Sequence, residues 1–299
     1  MYSIGVDIGG TNVRVALLDS KYNIIKKMQS KTGKREFTDV IEDIVKMIKE
    51  IDPNNEVEFV GICSPGPIDK IEGMILDAPN LPTWRYKPFV RRISEAVNKK
   101  VYLTNDANAA AMAQAIDDDN ETIVFITTST GIGGGIVYKG KLIEGKKVYA
   151  GEFGMMIISD EKREESSLYA GSLESLCSGT ALAFEASRKY GEDIDAKELF
   201  NRYERKDAIA LEIIDKWAEY YSRALANLLQ IIEPDVFYLG GSVITNNQYL
   251  LEILRDATKN KVYQGLRDRI NLVVAKYGDD AGIVGAAYNG FISFKEEVL

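Results

Sequence analysis

The feature that most constrains the fold is a pattern that occurs twice: two short strands around a glycine-rich turn, followed by alternating strands and helices. The first copy pairs Tyr2–Asp7 with Val13–Asp19, and the second pairs Thr122–Thr127 with Ile136–Tyr138 around the turn Gly131–Gly135. Alternating strands and helices form α/β domains, and the repetition favours two domains of related design. The sequence therefore predicts two α/β domains facing each other across a cleft.

An acidic run, Asp117–Asn120, is too polar to be buried and indicates the boundary between these domains. We expect residues 1–117 to form the N-terminal domain, completed by a C-terminal helix over 282–299, and residues 118–281 to form the C-terminal domain. Apolar residues at the helical period predict helices Phe37–Ile51, Phe89–Asn98, Ala107–Ile116 and Lys206–Ile232.

The composition excludes several classes of site. The 299 residues include no histidine, which rules out Ser-His-Asp and Cys-His triads and histidine-ligated metals. Cys63 and Cys177 lie far apart without a CxxC partner, so no cysteine zinc site is indicated. A net charge of −8 without a basic cluster argues against a nucleic-acid partner. Because no leader and no apolar run of membrane-spanning length is seen, we expect a cytoplasmic protein that does not bind membranes.

Three glycine-rich segments predict phosphate binding: Asp7–Asn12 (DIGGTN), Thr127–Gly135 and Leu239–Ser242. Glycine lets backbone N–H groups approach an anion closely, and the adjacent hydroxyl and amide side chains donate to phosphate oxygens. The residues expected to bind ATP are Asp7, Gly9, Gly10, Thr11, Asn12, Thr130, Gly131, Gly133, Gly240, Gly241 and Ser242.

Neither of the first two segments is a Walker or a dinucleotide-binding motif, and the first and third segments each have a simpler interpretation. The first is also what a hairpin turn requires, and the third is either a surface for adenine or a plain helix start. At the end of its strand, Asp7 is expected to hold Mg²⁺ through water, because Mg²⁺ keeps most of its own waters.

Asp106 follows a predicted strand and begins a predicted helix. Such an aspartate either caps the helix or reaches a ligand at the carboxyl end of the strand. The neighbouring Asn105 and Asn108, with small alanines around them, favour the second interpretation. Phosphoryl transfer needs one group that accepts the hydroxyl proton and a cradle for the phosphates, and Asp106 with the glycine-rich segments supplies both.

These segments together resemble the ROK family (repressors, open reading frames and kinases) of the actin-like ATPase and sugar-kinase superfamily, over essentially the whole chain. Asp7–Arg14 (DIGGTNVR) and Ser129–Gly135 resemble its phosphate motifs, and Leu239–Ser242 resembles its adenosine motif. Ala281–Ala287 (AGIVGAA) is similar to the start of its C-terminal helix. The resemblance implies two actin-like (ribonuclease H-like) domains and a kinase that uses ATP with Mg²⁺.

Other segments resemble the sugar pocket of that family, namely Ser64–Asp69 (SPGPID) and Ala78–Trp84 (APNLPTW). The resemblance implies that Asp106 is the catalytic base. The implied sugar contacts are Gly66, Asn80, Asn105, Asp106, Glu152 and Glu174. It further implies phosphorylation of a hexose at C6, with glucose as the first choice, by a homodimer or homotetramer.

The resemblance leaves alternatives open. Kinases of N-acetylmannosamine, N-acetylglucosamine or fructose carry the same motifs, so sequence does not choose among these sugars. An alternative of another class is a sugar- or nucleotide-binding sensor that has lost catalysis.

One departure from the family pattern concerns zinc. Relatives place a histidine where this chain has Met155, and a cysteine-rich zinc segment where it has Glu164–Glu174 (EESSLYAGSLE). We therefore expect no structural zinc, and hydrogen bonds or apolar packing must hold this loop instead. Cys177 lies beyond the segment and is expected to be a core residue.

Overall fold

The computed structural model describes residues 1–33, 35–161 and 168–298, and the chain divides into two compact units. The first unit contains Met1–Asp119, Gly135–Ala150 and Asp279–Leu299, and the second contains Asn120–Gly134 and Gly151–Gly278. Residues 135–150, which the sequence-based boundaries assign to the second domain, thus belong to the first unit.

Strands and helices alternate along much of the chain. The strands are β1 Ser3–Ile8, β2 Asn12–Leu18, β3 Ile24–Lys31, β4 Phe59–Ser64, β5 Ile68–Asp69, β6 Met74–Ile75, β7 Lys100–Asn105, β8 Thr122–Thr128, β9 Ile132–Tyr138, β10 Lys141–Leu142, β11 Val236–Gly240 and β12 Leu272–Val274. The α-helices are α1 Phe37–Ile51, α2 Phe89–Val97, α3 Asp106–Gln114, α4 Leu173–Cys177, α5 Gly179–Tyr190, α6 Ala196–Glu204, α7 Ala208–Ile232, α8 Ser242–Thr245, α9 Leu250–Lys259 and α10 Ala281–Val298. Short 3₁₀ turns cover Pro82–Trp84, Phe153–Met155, Gln264–Arg269 and Gly278–Asp280.

The first unit is built on a five-stranded sheet of order β3-β2-β1-β4-β7. Tight turns join β1, β2 and β3 as antiparallel neighbours, whereas longer connections containing helices make β1, β4 and β7 parallel. Every residue of β4 is buried, as expected for a central strand covered on both faces. Helix α1 packs on β2 and β3, and α10 packs on β1 and β4.

Helix α10 also packs closely on α3, and a glycine makes this possible. A Cβ atom added at Gly285 would lie 1.6 Å from the backbone oxygen of Ala109, so no larger residue fits between the two helices. This packing fixes α3, the helix that begins at Asp106.

The second sheet has the order β10-β9-β8-β11-β12, which matches the strand order of the first sheet. Strands β8, β11 and β12 are parallel, and β9 and β10 are antiparallel. In the second unit the long helix α7 packs against α4, α5, α6 and α9. The α/β class and the repeated pattern are confirmed.

The structure corrects the predicted turn at Gly131–Gly135. Strand β9 already begins at Ile132, so three of these glycines lie in a strand. A Cβ atom at Gly134 would lie 2.3 Å from the ring of Phe153, so glycine is required there by close packing and not by a turn. Helix α9 was not predicted, although its buried face of Leu250, Leu251 and Leu254 follows the helical period. In the described chain no helix is both long and apolar enough to cross a membrane.

Candidate active site

In the first unit, the carboxyl ends of three parallel strands bring the predicted residues together. The strand register pairs Asp7 with Cys63 and Ser64 with Asn105, so these positions share one edge of the sheet. The pKa of the Cys63 thiol is raised well above its ordinary value, first by complete burial and then by the charges of Asp7 and Asp106. Both carboxylates therefore lie near the same buried sulfur atom. This edge is where open α/β sheets bind ligands.

Asn105, and not Asp106, is the N-cap of α3. Its Oδ1 accepts hydrogen bonds from the backbone N–H groups of Ala107 at 2.9 Å and Asn108 at 3.3 Å. Asp106 is the first helical residue, is exposed, and accepts one bond from the Ala107 N–H at 2.8 Å. Asparagine is a strong cap and the following alanines favour helix, which explains why the chain turns here.

Asn105 lies against the turn that follows β4. A Cβ atom at Gly66 would lie 2.8 Å from Nδ2 of Asn105, so a side chain at position 66 would displace the amide. With Oδ1 bound to the helix start, Nδ2 is the end of Asn105 that can donate to a ligand. The first glycine loop makes a similar contact, because a Cβ atom at Gly10 would lie 2.5 Å from the Cβ of Asn80. Asn105 thus lies against Gly66, another predicted sugar contact, and Asn80 lies against Gly10 of the first phosphate loop.

The turn between β1 and β2 is held by its own backbone and by Thr32. The Gly9 N–H donates to the Asn12 oxygen at 2.9 Å, and the Thr32 hydroxyl donates to the Gly9 oxygen at 2.6 Å. Thr11 is exposed at the tip of the turn. The Oδ1 atom of Asn12 is buried and has no hydrogen-bond partner in the described part of the chain. Thr32 lies outside every motif, and the sequence analysis did not identify it.

Asp7 belongs to a charged network that the sequence analysis also did not identify. Arg14, directly opposite in β2, donates to Asp7 and lies 3.6 Å from Asp280, which binds Lys27 at 2.7 Å. Arg14 therefore occupies one oxygen of Asp7 and leaves the other, Oδ1, facing the Cys63 thiol at 3.5 Å. Residues 1–33, 35–161 and 168–298 contain no group of three acidic or cysteine residues placed to hold a metal.

This donor set fits Mg²⁺ that arrives with a nucleotide. A single carboxylate already paired with arginine is suited to contact metal-bound water, and the buried Asn12 oxygen needs a donor such as that water. Direct coordination by several protein carboxylates is not what these residues provide.

In the second unit, the second glycine loop lies against Glu174. The backbone N–H of Ile132 donates to Oε2 of Glu174 at 2.7 Å, and a Cβ atom at Gly131 would lie 2.8 Å from the same oxygen. Glu152 is exposed to solvent, but the protein groups packed around it disfavour its charge, and this desolvation, followed by the charge of Glu174, raises its pKa above the ordinary value. The two predicted sugar carboxylates of this unit are therefore close enough to repel each other.

The third glycine segment lies beside the second loop. Gly241 has a φ of +80°, and a Cβ atom there would lie 2.3 Å from the Thr128 oxygen, so only glycine fits. Ser242 and Ser129 bring their hydroxyl oxygens to 3.4 Å. Gly240 ends β11, Gly133 lies in β9, and Thr130 is exposed in the loop. The second and third segments thus form one surface.

The start of α5 completes this surface. The Gly179 N–H donates to the Ser129 oxygen at 2.7 Å, and the Thr180 hydroxyl donates to the Thr130 oxygen at 2.8 Å. The signal for it, Ser178-Gly179-Thr180 before a helix, is a weaker form of the pattern in the other three segments.

Backbone hydrogen bonds hold the loop where relatives are expected to carry zinc. The Ile158 N–H donates to the Gly171 oxygen and the Leu173 N–H donates to the Met156 oxygen, both at 2.8 Å. These bonds, with the isolated bridge between residues 157 and 172, fix the start of α4 and hence Glu174. Met155 ends a 3₁₀ turn, and residues 164–167 of the expected segment lie outside the described residues.

Cys177 is buried near the end of α4, and its backbone oxygen accepts a bond from the Trp217 indole at 2.9 Å. It is a core residue, as the sequence analysis expects.

The predicted residues therefore form two sets. The first unit holds Asp7, Gly9, Gly10, Thr11, Asn12, Gly66, Asn80, Asn105 and Asp106, and the second holds Thr130, Gly131, Gly133, Glu152, Glu174, Gly240, Gly241 and Ser242. Within each set, a side chain predicted to contact the sugar lies against a glycine-rich loop.

Comparison with known proteins covers the same residues. The family model described as ROK family matches residues 3–289. The chain is 32% identical to a glucokinase of Thermotoga maritima, over 95% of each chain. It is 31% identical to an N-acetylmannosamine kinase of Salmonella heidelberg, over 96% of this chain and 97% of that one.

Solved structures agree. A ROK hexokinase from Thermus thermophilus superposes with a TM-score of 0.90 at 31% identity, covering 99% of this chain and all of that one. A ROK family glucokinase from Streptomyces griseus, solved with glucose and AMPPNP, superposes with a TM-score of 0.79 at 26% identity, covering 98% of this chain and all of that one.

Proposed function

Because this chain belongs to the ROK family and is a sugar kinase, we propose that it transfers the γ-phosphoryl group of ATP to the C6 hydroxyl of glucose. The observation that carries the proposal is that Asn105 and Asp106 have different roles at the start of α3. Asn105 is the N-cap of the helix, and Asp106 therefore lies at the first helical position with an exposed carboxylate, where a substrate hydroxyl can reach it.

Asp106 acts as the general base in this proposal. It accepts the C6 hydroxyl proton as that oxygen bonds to the γ-phosphorus, while the bond from phosphorus to the bridging oxygen breaks and ADP leaves. Nδ2 of Asn105, held against Gly66, donates to a neighbouring sugar hydroxyl and orients the acceptor.

The glycine loops bind the phosphates. Backbone N–H groups of the turn that follows Gly9, with the exposed Thr11 and Thr130 hydroxyls, donate to phosphate oxygens and stabilise the charge that spreads in the transition state. Gly240, Gly241 and Ser242 bind the adenosine part of ATP. Mg²⁺, when bound beside Asp7 and Asn12 through water, neutralises phosphate charge.

Glucose is supported as the substrate by the glucokinase and hexokinase relatives and by the two carboxylates Glu152 and Glu174, which accept hydrogen bonds from sugar hydroxyls. N-acetylmannosamine is the second candidate, because the Salmonella kinase for that sugar is 31% identical to this chain.

A sugar panel at saturating ATP tests the proposal. We expect the highest kcat/KM for glucose, with lower values for N-acetylmannosamine, N-acetylglucosamine and fructose, and phosphorus NMR of the product places the phosphate on C6. A higher kcat/KM for N-acetylmannosamine would replace glucose with that sugar. Glucose binding by calorimetry without ADP release would instead favour the sensor.

Two further expectations stay predictions of the sequence: a homo-oligomer, which light scattering after gel filtration checks, and a cytoplasmic location, which cell fractionation checks.

A further inference from the structure

The carboxylate of Glu174 is bound to the phosphate loop even though its predicted role is to contact the sugar. Its Oε2 accepts the Ile132 N–H at 2.7 Å. The loop fits closely around this oxygen, since Cβ atoms at Gly131 and Gly154 would lie 2.8 and 3.2 Å from it. The contact is therefore built by glycines on both sides, and one carboxylate oxygen is committed to the loop.

The start of α5, which directly follows α4, holds the other end of the loop. Five and six residues after Glu174, the Gly179 N–H donates to the Ser129 oxygen and the Thr180 hydroxyl donates to the Thr130 oxygen. Ser172 caps α4 by accepting the Ser175 N–H at 3.3 Å, which fixes the helix turn that carries Glu174. Residues 172–180 thus make hydrogen bonds to both ends of the loop segment 129–132.

Glu152 differs from Glu174 in its contact with the loop. It is the other predicted sugar carboxylate of this unit, and it lies close enough to feel the charge of Glu174. Among the described residues, however, no N–H group of residues 129–132 donates to Glu152. Of these two predicted sugar carboxylates, Glu174 is therefore the one that is hydrogen-bonded to the loop in the described part of the chain.

We infer that Glu174 is a positioning residue for the phosphate loop, so that sugar and nucleotide affinities are coupled through its carboxylate. The inference rests on the proposed function. With Oε2 on Ile132, the second oxygen is left for a sugar hydroxyl, and a sugar that restrains this carboxylate also restrains the loop amides that bind phosphate. Such coupling is reciprocal: bound nucleotide must strengthen sugar binding by the same factor.

The experiment measures ADP binding by calorimetry in the absence of any sugar. A merely sugar-contacting residue would not change this affinity. We expect E174A to weaken ADP binding about tenfold, because it removes a hydrogen bond to an ionised group. E174Q keeps an acceptor oxygen for the Ile132 N–H and should restore most of that affinity. The matched control E152A should weaken glucose binding and leave ADP affinity at the wild-type value.

The possible results distinguish a failure of this inference from a failure of the proposed function. Wild-type ADP affinity in E174A would overturn the inference while leaving the kinase function intact, whereas a wild-type protein that binds neither ADP nor glucose would overturn the proposed function itself.

If E174A does not fold, G131A makes the reciprocal test from the loop side, since its new Cβ displaces the carboxylate. Glucose binding measured without nucleotide should then weaken. Unchanged glucose affinity in G131A would contradict the coupling.

Discussion

At the scale of single residues, the neighbours Asn105 and Asp106 have separate roles at the start of α3. Asn105 uses its oxygen to cap α3, and Asp106 begins the helix with an exposed carboxylate. The sequence predicted that both residues matter, but it left open whether Asp106 was the cap. Only the backbone geometry distinguishes the N-cap from the first helical position, because both residue types are favourable at either place.

Replacing Asp106 by asparagine keeps the size of the side chain and removes its basicity. We expect kcat of D106N to fall roughly a hundredfold or more, the usual contribution of a general base. A coupled assay of ADP release measures this, and the melting temperature checks that the variant is folded. D256N, on the exposed face of α9, is the matched control and should retain wild-type kcat. A wild-type kcat in D106N would remove Asp106 as the base.

Glu152 predicts a specific pH dependence of stability. Its pKa is raised in the folded protein from the ordinary value of 4.5, first by partial desolvation and then by Glu174, and the effect on stability is small because the side chain is exposed. Its contribution to stability is therefore fully present below that ordinary pKa and is lost as the pH rises through the raised value.

The variant E152Q cannot ionise, so it should melt at a higher temperature than the wild type at neutral pH. At about pH 4, where the wild-type carboxyl is also protonated, the difference should disappear. Calorimetric scans at both pH values measure this, with E252Q on an exposed helix face as the control for the change of residue type. Equal melting temperatures at neutral pH would show that the folded protein does not disfavour the Glu152 charge.

At the scale of secondary structure, periodicity predicted the long elements well. Helix α1 has the predicted bounds, and α2, α3, α7 and α10 begin and end within a few residues of them. The glycines at the start of β9 were misjudged, because sequence shows that a residue is glycine but not whether a turn or a neighbouring ring requires it.

The close contact of α10 with α3 gives an element-scale prediction. G285A places a methyl group where the Ala109 oxygen lies, so the helices must separate, and we expect a loss of stability of about 2 kcal/mol or more. Urea unfolding measures it. G265A is the control, since a Cβ atom at that position meets no other atom within 4 Å and Gly265 has no positive φ. Equal stability of the two variants would show that α10 tolerates a wider spacing.

At the scale of the whole molecule, composition predicts the response to metal removal. The chain has no histidine and only two cysteines, both buried, and backbone bonds close the loop before α4. We expect EDTA to shift the melting temperature by less than about 1 °C, because a structural zinc would contribute far more. Turnover should stop and should return with Mg²⁺ alone. A requirement for Zn²⁺ in that recovery would contradict the prediction.

The candidate site was predictable to the extent that motifs carry it. Gly9, Asp106 and Gly241 belong to recognisable segments. Thr32, directly after β3, lies outside every motif, and the sequence of the first motif does not show that its Arg14 pairs with Asp7 across two strands. Contacts of that kind depend on strand register, which a single sequence does not reveal. The hydrogen bond from the Ile132 N–H to Glu174 cannot be predicted from the sequence either, because 42 residues separate the two and only the tertiary fold brings them together.

The two contacts of the Asn105 side chain have a consequence for how the substrate preference of this protein can evolve. One end of the amide holds a helix and the other touches Gly66, so exchange at either position disturbs the scaffold before it alters preference. Laboratory selection for a new acceptor should therefore accumulate its adaptive changes elsewhere, as at Glu152, and should leave Asn105 and Gly66 unchanged.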